Sequence, residues 1–127
     1  MKSLAVIGVG LIGGSVMRAV RAQAPEIRLV GVDPSWREVS SVLGDSLDQL
    51  IDAGDRKAVQ RALEAVDLIV LSAPVRVILA ELARTLEYGA VVTDCGSTKR
   101  EIARALSGHP GRSRFVPGHP MAGLPEG

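Results

Sequence analysis

Aromatic side chains are almost missing from this chain: one Trp, one Tyr and one Phe in 127 residues. Trp36, Tyr88 and Phe115 are too few to build a base-stacking surface for nucleic acid or the aromatic belts that seat a protein in a membrane. Cysteine is equally scarce, and a lone Cys95 has no partner for an intrachain disulfide or a cysteine-based metal site. A reducing, cytoplasmic setting is expected. No excess of one charge exists either: 15 Lys and Arg stand against 14 Asp and Glu, for a net +1, so no nucleic acid or other polyanion is implied. No apolar run approaches the ~20 residues of a membrane-spanning helix. Lys2, the apolar stretch Leu4 to Met17 and Ala22-Gln23-Ala24 superficially resemble a secretory signal, but Arg18 and Arg21 follow the apolar stretch where such signals are usually uncharged. There is no G-x-x-x-x-G-K-[ST], so a nucleoside triphosphatase is not supported.

Aliphatic residues are abundant. Apolar residues make up 46% of the chain, enough for one Val/Leu/Ile/Ala core, and the length suits a single domain. Short apolar runs alternate with segments of helical period, the pattern of parallel strands joined by helical crossovers. Strands are predicted at Leu4 to Ile7, Ile27 to Val32, Leu68 to Ser72, Ala90 to Thr93 and Arg114 to Val116. Between them, Ile12, Val16 and Val20 mark one helix, Val59, Leu63 and Val66 another, and Ile102 and Leu106 a last one. Pro74 opens a helix with Ile78, Leu79, Leu82 and Leu86 inward and Gly89 as its stop. Ser35 with Glu38, and Thr98 with Glu101, fit capping boxes. The middle is less legible: a short helix is suggested by Leu47, Leu50 and Ile51, and a brief strand by Val42 to Leu47. The resulting expectation is an α/β Rossmann-type, doubly wound and mainly parallel sheet with helices on both faces.

Gly8-Val9-Gly10-Leu11-Ile12-Gly13 fits G-x-G-x-x-G. The hexapeptide alone is weak, yet it follows a predicted strand and opens a predicted helix, the setting in which each glycine has a task. Gly8 would make the tight turn, Gly10 would let the backbone approach a pyrophosphate, and Gly13 would allow close helix–strand packing. The backbone from Gly10 through Leu11 and Ile12 to Gly13 would then offer N–H groups to the anion. The alternative is a strand–helix turn that merely needs glycines. Asp33 ends the second predicted strand, about 20 residues on, where a carboxylate reaches the ribose hydroxyls of NAD and repels a 2′-phosphate. It would also start a turn before Pro34 in either case.

Parallel strands would bring Gly8, Asp33, Ala73-Pro74, Gly96-Ser97 and Gly118-His119 to one carboxyl-end crest, although they are scattered in sequence. GLIGGS at Gly10 to Ser15, SAPV at Ser72 to Val75, DCGSTK at Asp94 to Lys99 and GHPMAG at Gly118 to Gly123 resemble the prephenate and arogenate dehydrogenases of tyrosine biosynthesis. The resemblance runs along almost the whole chain, and its last two motifs are more specific than the first. It implies NAD as cofactor, with Ser72, Ala73 and Pro74 on the cofactor side, and Ser97 and His119 as catalytic partners acting on a small-molecule substrate. It also implies a helical second domain, outside residues 1–127, that carries further substrate contacts and makes a homodimer. Such proteins often continue Thr-Glu where this chain has Leu124-Pro125.

From the residues alone, His119 in its Gly-Pro frame has the near-neutral pKa suited to take a hydroxyl proton, but an ordinary loop histidine fits as well. Ser97 is equally placed to be a helix cap. Lys99 reads either as a solvated first-turn side chain or as a contact on the substrate or nicotinamide side. His109 is expected in a solvent-exposed turn and Cys95 as a small packed residue. The resemblance implies oxidation of prephenate to 4-hydroxyphenylpyruvate with loss of carbon dioxide. Its rivals are an arogenate dehydrogenase, a β-hydroxyacid or imine reductase of related fold, which would lack GHPMAG, and a non-catalytic NAD-binding module.

Overall fold

A computed structural model describes residues 1–96 and 99–118, with only the backbone of Lys99. The described elements alternate: β1 (Ser3–Ile7), α1 (Leu11–Gln23), β2 (Arg28–Asp33), α2 (Trp36–Leu43), β3 (Gln49–Asp52), α3 (Arg56–Glu64), β4 (Leu68–Leu71), α4 (Val75–Leu86), β5 (Val91–Asp94), α5 (Lys99–Ala105) and β6 (Phe115–Val116). The six strands form one sheet in the order β3-β2-β1-β4-β5-β6. Every pairing is parallel, with Leu4 opposite both Leu29 and Leu68 in the central three.

Strand alternation divides the core in two. Leu4 and Val6 of β1, with Leu29 and Val70, pack toward Met17 of α1 and Val39 and Leu43 of α2. Ala5 and Ile7, with Val30, Ile69, Leu71 and Val92, pack toward α3, α4 and α5 through Val59, Leu63, Ile78, Leu82 and Ile102. The strand order runs one way from β1 to β3 and the other way from β4 to β6, so crossovers of one hand place their helices on opposite faces. The loops after β1 and β4 therefore part from each other at the centre of the sheet. This is the position where open α/β sheets form a crevice.

The middle of the chain departs from expectation. Val42 and Leu43 end α2, Gly44–Ser46 is a 3₁₀ turn, and the third strand is Gln49–Asp52, where a helix had been suggested by Leu50 and Ile51. An edge strand with one buried residue, Ile51, and polar ends carries too little apolar alternation to announce itself. The buried face of α1 is formed by Gly13, Gly14 and Met17, with Val16 and Val20 of the expected stripe half-buried against the same core, whereas Ile12 stands 42% exposed on the crest. Small residues bring α1 close to the sheet, and Val16 and Val20 pack beside them. The Ser35–Glu38 capping box has the right N-cap residue but no side-chain cap bond. Instead Asp33 takes the Ser35 N–H. The Thr98–Glu101 box lies partly outside the described residues.

Candidate functional site

The β1–α1 turn is held from below. Gly8 donates its N–H to the Val32 carbonyl at 2.8 Å and has φ of 89°, a conformation that strains any side chain-bearing residue. A Cβ on Gly13 would lie 2.4 Å from the Gly8 carbonyl oxygen and 2.5 Å from Ser72 Oγ, so only glycine lets α1 pack this closely. Gly10 is different. It is exposed, and a Cβ there would meet nothing within 4 Å. The first N–H groups of a helix have no intrahelical acceptors, and Gly10 at the N-cap supplies no side chain to satisfy them. Partial positive charge thus faces open space above the turn.

Asp33, half-buried at the end of β2, ties that turn to the next one. Its Oδ2 accepts the Val9 N–H at 2.7 Å and its Oδ1 accepts the Ser35 N–H at 2.7 Å. Each carboxylate oxygen keeps a further lone-pair direction, so hydroxyl groups can still be received. The residue lies between two hollows. One, of about 180 Å³, is lined by apolar Ile7, Val32, Ala53 and Val77, with Arg56 and Glu81 beside them. The other is a more open groove of about 480 Å³ over α1 and α2, reaching Gly10, Ser15 and Arg18. Arg56 is fixed at the first hollow by Glu81, Nη2 to Oε2 at 3.2 Å.

The β4–α4 loop closes the crevice. Ser72 donates its N–H to the Ile7 carbonyl at 2.9 Å and its hydroxyl to the Gly8 carbonyl, so its side chain props the glycine turn. Ala73 sits so near Gly8 that a Cβ there would meet Ala73 N at 2.8 Å. Ala73 and Pro74 line the smaller hollow. On the far side of the crest, Asp94 at the end of β5 is 1% exposed and accepts the N–H groups of Gly96 at 2.9 Å and Gly118 at 3.1 Å.

The structure therefore places Gly8, Asp33, Ala73 and Pro74 around the smaller hollow and Gly10, Leu11 and again Asp33 around the groove, with Ile12 and the buried Gly13 following in the first turn of α1 and Ser72 bonded to the glycine turn. Ser97, His119 and the Lys99 side chain lie outside the described residues. Sequence reasoning missed Arg56, Glu81 and Asp94. The first two sit in helices as ordinary charged residues, whereas Asp94 carried a signal, an acid ending the strand Val91-Val92-Thr93. Among the described residues no group of His, Cys, Asp and Glu could hold a metal ion, and no helix is long and apolar enough to cross a membrane.

A parallel sheet in this strand order, with a glycine turn at its reversal and an acid ending β2, defines a Rossmann-type α/β domain. Over residues 16–127 the chain matches the family described as prephenate dehydrogenase, nucleotide-binding domain, and it belongs to that family. That match starts beyond Gly13, so the glycine turn is an independent observation. The chain is 34% identical to a prephenate dehydrogenase of Lactococcus lactis over 97% of its own length and 35% of that protein's. Among solved structures, the prephenate dehydrogenase of A. aeolicus, in complex with hydroxyphenyl propionate and NAD+, superposes with a TM-score of 0.75 at 28% identity, over 99% of this chain and 44% of that one. The arogenate dehydrogenase of Synechocystis gives 0.74 at 26% identity, over 97% of this chain and 42% of that one. The chain spans 33 to 41% of the curated relatives it matches.

Proposed function

We propose that residues 1–127 form the NAD-binding part of a prephenate dehydrogenase, which converts prephenate to 4-hydroxyphenylpyruvate and carbon dioxide in tyrosine biosynthesis. The observation that carries this is the uncapped start of α1 beneath open space at Gly10, with Asp33 alongside. The N–H groups of Leu11, Ile12 and Gly13 receive the pyrophosphate, Asp33 receives the adenosine ribose, and the apolar hollow beside Ala73 and Pro74 takes the base. Nicotinamide, when bound, supplies the hydride acceptor. His119 accepts the proton of the substrate's ring hydroxyl, and Ser97 orients the imidazole and the substrate. Lys99 serves the substrate or nicotinamide side. Loss of the carboxylate then makes the ring aromatic. Turnover belongs to a protein of the relatives' length, working in the cytoplasm as a homodimer in which a second domain closes the substrate pocket. The likeness to an arogenate dehydrogenase favours one second reading, the same chemistry on arogenate.

Calorimetric titration of the chain with NAD and NADP tests the cofactor assignment, with NAD expected to bind more tightly. Preference for NADP would contradict it. In the full-length enzyme, His119→Ala is expected to lower turnover by roughly a hundred- to ten-thousandfold with NAD affinity retained. Unchanged turnover would remove His119 from the mechanism. Paired kinetics on prephenate and arogenate separate the two substrates, and full-length protein that binds NAD but oxidises neither would be a binding module only.

A further inference from the structure

Asp94 is a buried acid to which the proposed chemistry gives no direct part. Strand alternation puts it on the same face as Val92, which packs with Ile78 and Ile102. A carboxylate carried into such surroundings is costly unless its oxygens accept hydrogen bonds. Oδ2 accepts the Gly96 N–H at 2.9 Å, a local turn contact two residues on. Oδ1 accepts the Gly118 N–H at 3.1 Å, and this bond is not local: Gly118 lies 24 residues further along the chain. One carboxylate thus joins the start of the β5–α5 loop to the loop that leaves β6. Both glycines crowd it. A Cβ on Gly96 would lie 3.0 Å from Asp94 Oδ2, and one on Gly118 would lie 2.5 Å from the Asp94 carbonyl oxygen.

Gly96 directly precedes Ser97 and Gly118 directly precedes His119. We infer that Asp94 is a positioning residue that sets Ser97 and His119 relative to each other by clamping the roots of their two loops. The inference rests on the reading of those two residues as catalytic partners. A turn-forming aspartate would need only the Gly96 bond. The second oxygen spanning to Gly118 is what gives the side chain a role between loops.

The test uses the full-length enzyme. Asp94→Asn keeps the shape and one acceptor oxygen but turns an N–H donor toward one of the two glycine amides. A small misplacement of catalytic groups costs up to about a hundredfold, so kcat is expected to fall roughly ten- to a hundredfold. NAD affinity and the KM for prephenate are expected to hold, while the melting temperature drops because one buried N–H donor is left facing another. Gly118→Ala, whose Cβ would meet the Asp94 carbonyl oxygen and push the same loop off Asp94, is expected to lose stability as well and to show the same fall in kcat with NAD affinity and KM retained. In this chain alone, the Gly118 amide signal in ¹⁵N NMR is expected to move markedly in Asp94→Asn. An unchanged kcat in both folded variants, or kcat, NAD affinity and the KM for prephenate all worsening together, would overturn the inference while leaving the catalytic pair intact. If His119→Ala in the same enzyme left turnover normal, the catalytic reading and this inference would fall together.

Discussion

The two edges of the sheet use the same side chain for opposite ends. At the amino-terminal edge, Asp48 and Asp67 each stand one residue before a strand and bind the backbone of the strand beside it. Asp48 Oδ2 accepts the Leu29 N–H at 2.7 Å, and Asp67 Oδ2 accepts the N–H groups of Lys2 at 2.7 Å and Ser3 at 3.1 Å. These bonds tie β3 to β2 and β4 to β1. At the carboxyl-terminal edge, Asp33 and Asp94 bind loop amides instead. One edge is stitched shut, while the other holds its loops in place and leaves an uncapped helix start and an empty space above Gly10. Strand direction alone therefore does not make a binding crest. Helix starts converge on the carboxyl-terminal edge only, and at α1 a glycine N-cap leaves the first amides uncovered.

Two glycines of one motif should separate fold from function. Gly13→Ala drives a Cβ into the Gly8 carbonyl and Ser72, and overpacking of this kind costs about 1–3 kcal/mol. Urea unfolding is expected to show that loss, and NAD binding to fail with it. Gly10→Ala meets open space, so stability should change by less than about 1 kcal/mol while NAD affinity drops. If both substitutions acted only on stability, the crest would be as purely structural as the opposite edge.

Asp33→Asn should sharpen the contrast within the crest. A hydrogen bond to a charged group is worth roughly 1.5–3 kcal/mol, so NAD affinity is expected to fall roughly ten- to a hundredfold, with NADP weakened less. Titration of both cofactors reads the ratio, and an unchanged ratio would remove Asp33 from the ribose. A smaller effect is expected at Arg56, whose pairing with Glu81 is partly exposed. Exposed ion pairs contribute under about 1 kcal/mol, so Arg56→Ala should weaken NAD and AMP alike by less than about fivefold. Loss of NAD affinity with AMP unaffected would take the base out of that hollow.

The smallest effect belongs to the stitched edge and appears in acid. The backbone N–H groups of Lys2 and then Ser3 hold the Asp67 carboxyl below its ordinary value, and the Leu29 N–H followed by Arg21 does the same for Asp48. A pKa lowered by folding adds stability that is complete above the unfolded value, about 3.9, and is lost as pH falls through the folded one. Asp67→Asn should therefore shrink the difference in urea stability between neutral and acid pH, with NAD affinity at neutral pH unchanged. An equal pH dependence in wild type and variant would deny the stitch its charge.

Most of the architecture was legible because both faces of the sheet are covered. β1, β2 and β4 read as continuous apolar runs, and the glycine turn and Pro74 marked where α1 and α4 begin. The third strand was not legible, since Gln49–Asp52 at the sheet edge buries only Ile51. On α1, Val16 and Val20 lie against the core as their spacing predicts, whereas Ile12 does not, because the glycines that set the buried face leave no hydrophobic signal. In the site, Gly8, Gly13 and Asp33 were found from spacing, and Asp94 stood out only as an acid ending a strand, its bond to Gly118 being 24 residues away, whereas Arg56 and Glu81 matter through a contact across 25 residues, which no local pattern encodes.

The difference between the edges can be read in one titration, ¹⁵N NMR of the chain with NAD. The amides of Gly10, Leu11, Ile12 and Gly13 and those around Asp33 are expected to move on saturation, while Lys2, Ser3 and Leu29 stay in place. Saturable binding that moved the Ser3 and Leu29 edge and left Gly10 to Gly13 unaffected, or no binding at all, would contradict the account.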